Sequence, residues 1–348
     1  MKANLETILE NIRVESGSPA AAGIIMSQSE VIALEVVGLR LAGETTPVTI
    51  NDRFHIGSNT KAWTATVGAN LVNEDVISWD AHPREVFDQP VISEYEEITF
   101  EMLLRHEAGI PPYTEEEHYE NLPEFDGSPT DQRIEFSKWI LSNEKPVNEP
   151  GSEMSYSNAG YGIAAAMMEQ AAGRTWEAMI LEEICEPLEI SVGFGWPLLG
   201  GTDQPAGHTY SDGAAKPQEP DEEFDLPAII APAGDLSCSM LDYGKFLQEN
   251  LKALHGGDTK LPRNLMMHMH NDGEPGVGMG WGVQPAGDAG LSSAHVGGAG
   301  TFTCIAAVSH SQDLAVALAV NAGSEDDDSF EGALRTGFKA MIHEYATP

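Results

Sequence analysis

Basic residues, cysteine and long apolar runs are all scarce in this chain, and each scarcity removes a class of function. Of 348 residues only 18 are Lys or Arg against 55 Asp or Glu, a net charge of −37. A field of that sign repels nucleic acid and anionic membrane surfaces, so neither is expected as a partner. It is the composition of an acidic, solubilising surface, or of a marine or halophilic protein whose self-repulsion salt screens. The runs "TEEEHYE", "PDEEFD" and "SEDDD" are read as solvated loops. Cys185, Cys238 and Cys304 are odd in number, far apart and without a CxxC, so neither a zinc cage nor a disulfide framework is indicated. No apolar run approaches the roughly 18 residues that cross a bilayer.

Motifs for metals and phosphates are also missing or incomplete. "HEAG" at 106–109 lacks the second histidine of a zincin, "MHMH" at 267–270 reads as a loop or helix end, and "GVGMGWG" has no following helix to cradle a phosphate. No cofactor and no metal is expected. The N-terminal "MKANLETILENI" has a helical period and acidic residues where a signal peptide is apolar. That predicts a cytoplasmic protein, or a periplasmic or secreted one whose leader was removed. Oligomeric state leaves no trace in the sequence.

What is present is a mixed pattern with a core-sized apolar content of 41%. A first helix, with Leu5, Ile8, Leu9 and Ile12 on one side, precedes the meander-like "AGIIMSQSEVIALEVVGLRLAGE". Residues 100–190 are mostly helical, 197–230 have loop composition, and the tail from 276 is β-rich before a last helix. Strands at both chain ends with helices between predict an α/β (α+β) fold. Its sheet domain takes residues 1–60 and 235–348, and a mostly helical domain takes 61–234.

Ser-x-x-Lys, the spacing of one class of serine hydrolases, occurs as "SNTK" at 58–61 and "SNEK" at 142–145. Chance alone gives about 0.6 such pairs in a chain with 23 serines and 9 lysines, so context must choose. Pro146 forces Lys145 out of the helical region, whereas Gly57 precedes Ser58 and a proline-free run follows it. Three helical residues apart, Ser58 and Lys61 share a side, in a first turn rich in free N–H groups. Tyr-x-Asn also occurs twice. Tyr119 lies among glutamates that oppose a phenolate, while Tyr156 follows a turn and enters a small-residue helix with Asn158. Of "HGG" at 255–257 and "HVGG" at 295–298, only the second leads into a strand.

The surviving order "SNTK", "YSN", "HVG" resembles the penicillin-recognising serine hydrolases: class C β-lactamases, D-alanyl-D-alanine carboxypeptidases, D-aminopeptidases and related esterases. "FHIGSNTKAWTA", "MLLRHEAGIPPY", "EPGSEMSYSNAGYGIAAAMMEQAAGRTW", "APAGDLSCSMLDYGKFL" and "HVGGAGTF" are similar to family segments in family order. The resemblance implies the β-lactamase/transpeptidase-like fold, an antiparallel sheet flanked by the terminal helices, with the active site in the cleft beside an inserted helical domain. It implies a serine hydrolase in which Ser58 is acylated and Lys61 and Tyr156 manage protons. Asn158 meets the acyl-side amide or steadies Lys61. The oxyanion lies between the N–H groups of Ser58 and Gly298, beside Gly297. His295 contacts the leaving side or completes the network at Tyr156. Histidine replaces the lysine usual in class C β-lactamases, so the expected substrates are small esters or amides before β-lactams or D-Ala-D-Ala peptides. A binding or scaffold protein that keeps the fold without catalysis is the alternative of another class. His106 and Trp79 read as structural.

Overall fold

The computed structural model describes residues 4–120, 122–200, 203–211, 213–218, 226–286, 290–324 and 327–346. In chain order the strands are β1 Ala20–Met26, β2 Val31–Gly38, β3 Phe54–His55, β4 Val192–Phe194, β5 His208–Ser211, β6 Ala214–Pro217, β7 Leu236–Cys238, β8 Gly276–Val277, β9 Gly282–Pro285, β10 Leu291–Gly298, β11 Thr303–Ser309 and β12 Ala315–Val320. Seven of them form one sheet in the order β2-β1-β12-β11-β10-β9-β8, antiparallel throughout. The first and last thirds of the chain thus meet along β1 and β12, with Ala21 opposite Val320 and Met26 opposite Ala315.

Both faces of this sheet are covered, so its central strands read as continuous apolar runs rather than alternating ones. Ala21 and Ile25 face outward with Ile305, Leu318 and Val320, under the helices Leu5–Ser16 and Asp328–Tyr345. Those two helices are amphipathic by sequence. Leu5, Ile8, Leu9 and Ile12 meet the sheet beside Phe330, Leu334 and Met341. Asn4 caps the first helix by accepting from the Thr7 N–H, and Gly17 ends it in the left-handed region at φ 69°.

Ala20, Ala22, Ile24 and Met26 point the other way, with Cys304 and Ala306, into the larger core shared with the helical layer. The centre of that layer is the helix Thr60–Asn73, buried on every side from Thr60 to Leu71. The helix Asn158–Ala172 lies beside it, with Ser157 capping its start by accepting from the Gly160 N–H. Arg133 is fully buried and holds Glu169, also fully buried, at 2.7 Å. Glu169 accepts as well from Thr130 and from the Trp176 N–H, so the desolvated carboxylate is fully engaged.

Two local readings need correction. Residues 197–230 are not loop throughout, because β5 and β6 form a hairpin there. The signal was present as Asp-Gly, a favoured hairpin turn pair. Gly213 has φ +77°, and Asp212 lies outside the described residues. The α-helix that carries Lys61 begins at Thr60, and Ser58 sits one step earlier, on a 3₁₀ turn from Gly57 to Asn59. The acidic run at 220–225 and residues 325–326 of the other run also fall outside the described residues. Among the described residues no helix is long and apolar enough to cross a membrane.

Candidate active site

The turn Gly57–Asn59 is held in place before any chemistry is considered. Ile56 donates its N–H to Leu236 O at 2.9 Å, and Asn59 Nδ2 donates to Cys304 O at 3.1 Å, so β7 and β11 both grip it. Gly57 donates its N–H to Nδ1 of the buried His55 at 3.1 Å. Gly57 itself has φ +51°, and a Cβ there would lie 2.7 Å from Gly298 O. Gly297 is equally constrained, since its Cβ would fall 2.1 Å from Ile56 O and 2.8 Å from Ser58 N. Only glycine at both positions lets the end of β10 touch the turn of Ser58.

From this turn Ser58 Oγ reaches two partners. Tyr156 donates its hydroxyl to Ser58 Oγ at 2.7 Å, and Lys61 Nζ lies 3.2 Å away. Lys61 Nζ has two further partners, Asn158 Oδ1 at 2.8 Å and Ala233 O at 2.9 Å. Lys61 Nζ also sits 4.6 Å from the Tyr156 ring centre. Lys61 is fully buried, and burial holds its pKa well below the ordinary lysine value. Burial pushes the Tyr156 phenol up to about 12, with the Ser58 bond opposing it. Solvent screens that shift, because Tyr156 is 36% exposed.

Asn158 is oriented on both sides. Its amide Nδ2 donates to Tyr113 O at 3.1 Å, which leaves Oδ1 for Lys61. Its backbone N–H donates to Pro112 O at 2.8 Å. Tyr113 adopts φ +50°, uncommon for a residue with a Cβ, and this turns its carbonyl toward Asn158. His106, another left-handed residue, accepts from the Ser157 N–H at 3.1 Å through Nδ1 and packs on the Tyr156 ring at 4.6 Å. It holds the tyrosine's position from behind.

His295 lies on β10 at the cleft. Its Nδ1 donates to Gly280 O at 2.7 Å, so the bond goes to the β8–β9 connection and not to Tyr156. Burial, then the Lys61 charge, lowers its pKa to about 4, against the pull of the Gly280 bond. The ring is therefore neutral at pH 7. Beyond His295 the β10 edge is open, because β9 pairs only as far as Ala294. Ala299 donates its N–H to Phe302 O across the turn, so alternation aims the Gly298 N–H the other way, toward the open edge. A Cβ on Gly298 would meet nothing within 4 Å.

Ser58, Lys61, Tyr156 and Asn158 thus form one hydrogen-bonded cluster, with Gly297 against Ser58 and His295 close enough for its titration to feel Lys61. The rejected copies take other partners, Tyr119 at the Tyr113 carbonyl that also holds Asn158. Ser142 contacts Gln89 and Pro90, Tyr119 donates to Tyr113 O, and His255 faces Ser309 O. Asn121, partner of Tyr119 in its motif, lies outside the described residues. In "MHMH", His268 pairs with Glu101 at 2.8 Å, while His270 bonds Asn250 and Ser293. Among the described residues no three His, Cys, Asp or Glu gather as a metal site. All three cysteines are buried free thiols.

Sequence reasoning missed the backbone parts of the cluster, the carbonyls of Ala233, Gly280 and Tyr113. It also missed His55, which stacks on Trp196 at 4.4 Å and lies 3.7 Å from Asp235. Its signal was a histidine two residues before the strained glycine of "FHIGS".

Comparison with known proteins bears on the family and the fold. A Dichelobacter nodosus protein named for fimbrial assembly, FimD of serogroup D, is 29% identical over 141 residues, 38% of this chain and 33% of that protein. The chain thus spans about a third of the length of that curated relative. Two solved structures share the fold at low identity. A penicillin-binding protein homologue from Pyrococcus abyssi, described as octameric, superposes with a TM-score of 0.77 at 23% identity, covering 92% of this chain and 73% of that one. SurE gives a TM-score of 0.76 at 22% identity over 97% of this chain and 74% of that one. Residues 5–338 match the Beta-lactamase family model, and with a sheet, helical layer and cleft of that fold the chain belongs to the Beta-lactamase family.

Proposed function

We propose that the chain is a serine hydrolase working through an acyl-enzyme on Ser58, with small esters or amides as substrates. The observation that carries this reading is the coordination of Lys61. A neutral amine has two N–H groups and one lone pair. Asn158 Oδ1 and Ala233 O take the two N–H groups, which leaves the lone pair for the hydroxyl proton of Ser58 at 3.2 Å. Burial favours that neutral form.

Ser58 Oγ attacks the substrate carbonyl while its proton moves to Lys61. The oxyanion settles between the N–H groups of Ser58 and Gly298. Tyr156, 2.7 Å from Ser58 Oγ, carries the proton onward to the leaving group as the tetrahedral carbon collapses. Water then enters, loses a proton to the same Lys61–Tyr156 pair, and releases the acid. The two groups titrate as a pair, so the acid and base roles belong to both.

Ester and amide chemistry is favoured over β-lactam hydrolysis by His295. With a pKa of about 4 it offers no cation to a β-lactam carboxylate at pH 7. The test is hydrolysis of p-nitrophenyl acetate and of a chromogenic cephalosporin by wild type and Ser58→Ala. The expected result is ester turnover that falls by about 10⁴-fold or more in the variant, with little cephalosporin turnover in either. Rapid cephalosporin turnover moves the reading to a β-lactamase. Equal labelling of wild type and Ser58→Ala by a serine-directed phosphonate removes Ser58 from the mechanism.

A further inference from the structure

Behind the Pro111–Tyr113 segment lies a cavity of about 180 Å³ that the proposed mechanism does not use. It is smaller than the roughly 300 Å³ of pockets that take drug-sized molecules, so it fits a head group rather than a whole ligand. It is lined by Pro111, Tyr113, Leu122 and Trp139, with His118, the half-buried Glu144 and the exposed Glu117 as its polar residues. Two aromatic residues and two carboxylates lining a small void are the recognition chemistry of an organic ammonium. Among the described residues neither Glu117 nor Glu144 has a basic partner. Lys145, next to Glu144 in the chain, is exposed and its charge acts on Glu94. His118 is occupied at Nδ1 by the Glu115 backbone. The negative potential does reach the wall: burial, then the Glu144 charge, pushes the Tyr113 phenol up to about 12. The net charge of −37 draws cations to the surface from which this cavity opens.

The cavity is joined to the catalytic cluster through one stretch of backbone. Tyr113 lines the cavity and gives its carbonyl to Asn158 Nδ2 at 3.1 Å, and Pro112 O holds the Asn158 N–H. We infer that this cavity binds a small organic cation, the ammonium or quaternary ammonium head of an acyl substrate or of a free ligand. As a substrate subsite the inference rests on the hydrolase reading. As a binding site it does not.

The test is calorimetric titration with choline at pH 8, where histidine is neutral, against its uncharged isostere 3,3-dimethylbutan-1-ol. Saturable one-site binding of choline alone is expected, weakened about tenfold by Glu144→Gln and by Trp139→Leu. Glu144 caps a helix end through its backbone, so Glu144→Gln preserves the fold even where Trp139→Leu loosens it. Equal binding of choline and the alcohol, or a Glu144→Gln isotherm identical to wild type, overturns the site. The source of the cation is then assigned with p-nitrophenyl esters of 4-(trimethylammonio)butyrate and 5,5-dimethylhexanoate. A substrate subsite gives the cationic ester a kcat/KM advantage of about tenfold that vanishes in Glu144→Gln. A free-ligand site gives equal rates while choline still binds. If neither ester is turned over, the hydrolase reading fails and the choline isotherm still decides the cavity.

Discussion

Ser58–Lys61 and Ser142–Lys145 have the same spacing, and the distance between their outcomes is set by what surrounds them. Lys61 is fully buried and its nitrogen meets three oxygens, one of them Ser58 Oγ. Lys145 is exposed because the helix carrying Ser142 ends at Asn143 and the chain at Glu144 is already extended, with ψ 145°. Ser142 Oγ spends its bonds on Pro90 O and Gln89 Nε2. A three-residue spacing brings two side chains together only where one helical run joins them. Burial then favours the neutral lysine, by removing the water that would keep it charged.

The comparison breaks first at Lys61. Lys61→Met is expected to lower kcat/KM by about 10³-fold or more, since it removes the proposed proton acceptor of the acylation step. The same variant checks burial. The folded pKa of Lys61 lies below the unfolded value of 10.5, so across that window the unfolded chain binds more protons and stability rises with pH. Wild type should therefore gain melting temperature relative to Lys61→Met between pH 7 and 9.5, read by scanning calorimetry. An unchanged gap would mean that Lys61 is charged in the folded chain.

His295 gives an effect of intermediate size on the acid side. Its folded pKa of about 4 lies below the usual histidine value near 6.5, so the unfolded chain takes up the proton first as pH falls. Stability is lost between about pH 6.5 and 4, by an amount of order 1 kcal/mol per pH unit. Urea unfolding of His295→Gln at pH 6.5 and 4.5 should show a smaller loss than wild type. The fully buried His270, lowered to about 3, keeps its own contribution in both proteins. Equal losses would mean that folding does not hinder protonation of His295.

The smallest effects belong to the other copy. Ser142→Ala and Lys145→Ala should leave ester hydrolysis unchanged and shift stability by no more than about 0.5 kcal/mol. A loss of activity in either would mean that the two copies were ranked wrongly.

Much of the fold was legible because its signals are local. The apolar period of Leu5, Ile8, Leu9 and Ile12 marks a helix face wherever the helix packs, and "TFTCIAAVSH" reads as a strand without its neighbours. The hairpin at 208–217 was passed over because its short strands are mixed in polarity and lie between glycine- and proline-rich segments. The 3₁₀ turn at Ser58 left no signal of its own. It depends on the contact between Gly57 and Gly297, 240 residues apart in the numbering of the chain.

The side chains of the cluster could be named in advance because serine, lysine and tyrosine are chemically distinct letters in a recognisable order. Ala233, Gly280 and Tyr113 could not, because they act through carbonyl oxygens that every residue possesses. The sequence alone determined which groups were candidates for reaction and which elements would carry them. The tertiary structure decided that Lys61 is buried with two fixed acceptors, that His295 turns to Gly280, and that Tyr113 joins a cavity to Asn158. Those facts depend on distances between distant segments, and only the packed chain sets them.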